Sequence, residues 1–152
     1  MNNIYQEREG LKFIEWTAII FFVVFYPMFV SIYPLLPPLF GVAGLAIINN
    51  INRNIIYTVA TMLYLIHIDL NLGLPFMLSI FSILLINTFI YPTAKLMIRC
   101  KVCLGVLLII LIDFFYYINL FIYDLILNST TVIADSMLSF YIFIDVIIGL
   151  LL

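Results

Sequence analysis

Two aspartates stand in the middle of long apolar runs, Asp113 in Leu111-Ile112-Asp113-Phe114 and Asp145 in Phe143-Ile144-Asp145-Val146. At helical spacing Tyr117 shares the face of Asp113 and Tyr141 shares that of Asp145, each four residues away. No lysine or arginine lies at either depth. A carboxylate at the centre of a bilayer costs at least about 2.5–3.5 kcal/mol, so both acids must face the protein interior, protonated or hydrogen-bonded. Two chemistries stay open for them. One is structural hydrogen bonding to Tyr, Ser, Thr or Asn; the other is a proton or cation path.

A second polar group is the stretch His67-Ile68-Asp69-Leu70-Asn71-Leu72-Gly73-Leu74-Pro75. It brings an imidazole, an acid, an amide, a glycine and a proline to one place, which is the composition of a helix end and a tight turn. A lone histidine at such an end reads as an interfacial or capping group. Asp135 is expected near the same face. A third group is Cys100-x-x-Cys103. Zinc needs four ligands, and the sequence has one histidine and no second cysteine pair, so the two read as plain thiols at a helix start. Hydrolase, metalloprotease, P-loop and dinucleotide-binding signatures are absent. The six Lys and Arg side chains give no nucleic-acid footprint. The reading is of a non-enzymatic chain with no cofactor and no metal.

These residues need elements to hold them, and composition sets the kind. Of 152 residues, 66% are hydrophobic and 9% charged, more apolar surface than a water-soluble domain can hide. Runs of about 18 or more apolar residues are the mark of spanning helices. The runs do not alternate, which argues against a β-barrel. The fold class expected is all-α integral membrane, a single polytopic domain over 1–152. A polar tail, Met1–Gly10, precedes a first helix over 11–33. Its apolar run is too long for a cleaved signal, and Pro27 and Pro34 occupy the place of a cleavage site. Lys12 can pair with Glu15 beside Trp16 at the interface.

Pro34, Pro37 and Pro38 break and restart the chain. A second helix over 39–48 carries Gly41, Ala43, Gly44 and Ala46, small residues that let backbones approach. From Leu35 to Ile48 it reaches only about 21 Å, so it is thin or partly re-entrant and buried in protein. A third helix over 55–68 presents Tyr57, Thr61 and Tyr64 on one face. A fourth over 74–91 carries Ser79, Ser82 and Asn87 and ends at Pro92. A loop over 93–101 holds Lys95, Arg99 and Lys101. A fifth helix spans 102–123, a loop 124–131, and a sixth helix 132–152.

Charge tests this division. With the N-terminus in the cytoplasm, Arg8, Lys12, Arg53, Lys95, Arg99 and Lys101 all fall on the cytoplasmic side, and the opposite loops carry none. The positive-inside rule therefore favours six spans with both termini inside.

The layout resembles the rod-shape-determining MreD family. The likeness rests on a short charged N-terminus, a first helix ending at prolines, and the segment Pro37-Pro38-Leu39-Phe40-Gly41. It also rests on the third helix ending in Asp69-Leu70-Asn71-Leu72-Gly73, and on the buried acid in Leu111-Ile112-Asp113. The resemblance implies a fold similar to the substrate-binding component of energy-coupling-factor vitamin transporters. It implies a scaffold of the bacterial cell-elongation machinery in the inner membrane. Such a scaffold binds an MreC-like single-span protein and through it links MreB-like filaments to peptidoglycan synthases. Asp69 and Gly73 are then the residues that face the docking partner. Two other readings stay open. One is a vitamin-type substrate-binding component with Tyr57, Thr61, Tyr64, His67, Asp69 and Asp113 around a pocket. The other is an ion path through Asp113 and Asp145.

Overall fold

A computed structural model describes residues 13–33, 35–51, 53–127 and 137–151. Among the described residues there are helices and no strand: α1 (Phe13–Ile32), α2 (Phe40–Asn50), α3 (Ile55–Asn71), α4 (Leu78–Met97), α5 (Lys101–Leu127) and α6 (Met137–Leu151). The tail Met1–Gly10, Lys12, the Glu15 side chain, Pro34 and Asp135 lie outside the described residues or side chains. Two helices, α4 with 20 residues and α5 with 27, are long and apolar enough to cross a membrane. The remaining apolar helices are shorter in their described parts.

The helix α2 is the axis of the bundle. Its eleven residues rise only about 16 Å, yet it packs against α3, α4, α5 and α6. Phe40, Ala43, Ile47 and Ile48 are buried in one core with Leu65, Ile68, Ile83, Leu108, Ile112 and Tyr116. The approach is close because Gly41 and Gly44 carry no side chain there. A Cβ on Gly44 would stand 2.7 Å from Ile112 Cδ1 and 3.1 Å from Ile83 Cγ1. Outside the bundle, Phe21, Ile55, Phe81, Phe114 and Leu125 are all exposed. The exterior is thus as apolar as the interior, the reverse of what water selects.

Several element boundaries differ from the sequence expectation, each for a local reason. The third helix continues one turn past Ile68 to Asn71. It stops where Leu74 N–H bonds to Asp69 O at 2.8 Å and Gly73 N–H to Leu70 O at 3.3 Å. This crossed pair is the Schellman stop, and it needs the positive φ of 66° that Gly73 supplies. The fourth helix starts at Leu78 rather than 74, after a turn in which Met77 is left-handed. Pro92 does not end it. Residues Ile86–Ile90 form a π turn closed by Tyr91 N–H to Ile86 O, and the helix runs on to Met97. The wider turn relieves the clash that a proline ring makes with a regular α turn. Lys95, expected in a loop, is therefore helical. At the far end, α5 extends to Leu127, so Asp124 is helical as well, and buried.

Candidate functional site

The polar interior falls into three ties between helices, and they contain most of the residues that the sequence marks. The first lies where α3 ends. Asp69 is fully enclosed. Its Oδ2 accepts the Ser79 hydroxyl at 2.6 Å and the Ser79 N–H at 3.4 Å, and its Oδ1 accepts the Tyr116 hydroxyl at 3.3 Å. One turn further along α4 and α5, Asn119 Nδ2 donates to Ser82 Oγ at 2.9 Å. The extra turn of α3 causes the enclosure, because it carries Asp69 onto the face that looks at α4 and α5. Asp69 is thus not an exposed docking residue: it holds the turn from within. Gly73 is exposed, and a Cβ there would meet nothing within 4 Å, so only its backbone conformation calls for glycine.

The second tie joins α2, α5 and α6. The chain enters α2 through Leu39, which is left-handed at φ 54°, a conformation costing a residue with Cβ roughly 1–2 kcal/mol. The first amides of the helix then have no partner in their own helix. Asp145, 104 positions away on α6, fills the gap: its Oδ2 accepts the Gly41 N–H at 2.8 Å. Asp113 of α5 packs on the same glycine, and a Cβ at position 41 would stand 2.8 Å from Asp113 Oδ2. Two carboxyl groups thus share the positive end of one short helix. Tyr117 meets the Tyr116 ring edge-on at 5.7 Å between centroids, and Tyr141 lies against Phe140 at 6.2 Å. Asp113 Oδ2 and Asp145 Oδ1 are buried without a hydrogen-bond partner. The two acids thus fix the start of α2 from two other helices.

The third tie fastens α1. Pro27 sits inside α1 and has no N–H, which frees the carbonyl of Val23 four residues earlier. His67 Nδ1 lies 3.1 Å from that carbonyl. A carbonyl can only accept, so Nδ1 carries the proton. His67 is therefore a tertiary replacement for a missing helix bond, not a helix cap, and α3 continues past it. The loop between α1 and α2 is satisfied in the same manner. Tyr26 donates to Pro37 O at 2.8 Å and Tyr64 to Pro38 O at 2.7 Å.

The face of Tyr57, Thr61 and Tyr64 borders a recess of about 180 Å³ whose other walls are apolar side chains of α1 and α2. Thr61 Oγ1 donates back to Tyr57 O at 2.7 Å. The cysteines are both exposed and free. Cys103 N–H donates to Cys100 Sγ at 3.4 Å, so Cys100 caps α5. Hydrogen bonding from Cys103 holds the Cys100 thiol below its usual pKa. Among the described residues no group of three or more His, Cys, Asp or Glu is placed to hold a metal ion.

Comparison with protein-family models, with characterised proteins and with solved structures gives no match.

Ser79 and Tyr116 as the partners of Asp69, Asn119 as that of Ser82, and Gly41 as the meeting point of Asp113 and Asp145 carry no signal in the sequence, because tertiary packing alone brings them together. For Pro27 and His67 a signal existed: a proline inside an apolar helix frees one carbonyl, and His67 is the sequence's one imidazole.

Proposed function

We propose that the protein is a non-enzymatic, multi-pass scaffold of a bacterial inner membrane, of the MreD kind, with six crossings and both termini cytoplasmic. It binds an MreC-like single-span protein and so couples MreB-like filaments to peptidoglycan synthesis. The observation that carries this reading is where the polar side chains are spent. Asp69 is taken by Ser79 and Tyr116, His67 by Val23, Tyr64 by Pro38, and Asp145 by Gly41. Of the groups that a vitamin site would use, Tyr64, His67 and Asp69 are committed to binding one element to another. What the bundle offers outward is apolar helix faces and short turns, the surface that takes a partner helix. The membrane placement is supported by α4 and α5, by the exposed aromatic and aliphatic faces, and by the described cations Arg53, Lys95, Arg99 and Lys101 around one cavity. In this placement α2 and the loop before it make one crossing together, with the irregular backbone shielded by protein.

Depletion in a rod-shaped host, with tagged protein for co-purification, tests the reading. Cells are expected to round, and a single-span periplasmic partner is expected to co-purify. Retained rod shape with lost vitamin uptake would assign the protein to the transporter class instead.

A further inference from the structure

The residues not used by the three ties include every described cation. Arg53 follows α2, Lys95 lies in the last turn of α4, and Arg99 and Lys101 lie where α4 passes into α5. All four are exposed and line one cavity of about 880 Å³, a volume within the range of small-molecule sites. No acidic residue lines it among the described residues. Asn49 and Asn50 add amides at the rim; Asn50 Nδ2 is spent on Ala46 O at 2.9 Å. Lys95 also leans over the Tyr91 ring at 5.7 Å.

The plainest account of these charges is neutralisation of helix ends. The C-termini of α2, α4 and α6 approach the cavity and contribute roughly −0.5 charge each, while the N-terminus of α5 contributes about +0.5. Four full positive charges exceed that, and a cavity with this excess of cations over acids among the described residues attracts anions. Its walls specify which anion. Leu45, Ile98, Leu104, Leu108 and Leu150 form the sides. Leu96 and Met97, next to Lys95, and Val102, next to Lys101, are strongly exposed. A soluble anion would leave these apolar side chains bare. An amphiphile satisfies both parts, with phosphate among the cations and acyl chains along Leu96, Met97 and Val102.

We propose that this cavity is a binding site for an anionic phospholipid of the leaflet it opens to, and that its four cations favour a headgroup with two phosphates. The site rests on the membrane placement above, not on the scaffold role. The probe is the full chain in phosphatidylcholine nanodiscs doped with diphosphatidylglycerol, with retained lipid read by native mass spectrometry. Diphosphatidylglycerol is expected to be retained over phosphatidylcholine by about fivefold for each cation engaged, the factor that corresponds to ~1 kcal/mol per basic group at an anionic surface. The pair Arg99→Gln and Lys101→Gln should lose that factor twice, whereas Arg99→Lys with Lys101→Arg should keep it. These side chains are exposed, and unchanged helicity by circular dichroism confirms that the variants fold. Equal retention of the two lipids, equal retention by the neutralised variant, or displacement by inorganic phosphate would each overturn the lipid site. Failure of the chain to enter bilayers would overturn the membrane placement with it.

Discussion

At the scale of single residues, the Asp69-Leu70-Asn71-Leu72-Gly73 motif has a physical meaning independent of any partner. It is a helix stop, with the acid turned inward and the glycine setting φ. The two ends of the motif therefore fail differently when changed. Gly73→Asn should be nearly neutral, because Asn tolerates the left-handed region; Gly73→Val should cost about 1–2 kcal/mol. Asp69→Ala leaves the Ser79 and Tyr116 hydroxyls without their acceptor, at about 1–3 kcal/mol. Reversible unfolding in mixed micelles measures all three. A Gly73→Asn variant as damaged as Gly73→Val would mean that the side chain, not the backbone, matters there.

At the scale of elements, α1 and α3 are coupled through a defect. Pro27 removes a bond from α1, and His67 of α3 restores it. In the wild type His67→Phe should cost about 1–3 kcal/mol, since the Val23 carbonyl is left unpaired. In a Pro27→Ala background the helix supplies its own amide, and the same change should cost much less. Effects of the two substitutions that add within about 0.5 kcal/mol would rule out the coupling.

The same contrast explains what the sequence made legible. Its apolar runs announced an all-helical chain and roughly where each helix lies, because periodicity and composition are local. Deep acids were visible because an Asp among Ile and Leu is conspicuous. Where α4 ends was not legible, since Pro92 reads as a stop unless a π turn precedes it. Nor was the meeting of Asp113 and Asp145 at Gly41, because those residues are brought together only by tertiary packing.

At the scale of the whole molecule, polarity is sorted by depth. Among the described residues the cations gather around one cavity, Asp69, Asp113 and Asp145 sit inside among Tyr, Ser and backbone amides, and the flanks are aliphatic and aromatic. The two cysteines mark the cationic end, beside Arg99 and Lys101. A membrane-impermeant maleimide should therefore label Cys100 in inverted vesicles and leave it untouched in intact spheroplasts. Labelling from outside would reverse the orientation proposed here.

The cap on α2 has a consequence for the order of synthesis. The amide of Gly41 emerges from the ribosome 104 residues before the carboxylate that receives it. While α6 is still unmade, Asp113 stands beside Gly41, but the hydrogen bond from the Gly41 N–H to Asp145 is missing. The joint at Gly41 is complete only once α6 has been made. α6 thus closes a joint that the second segment has held open since early in translation.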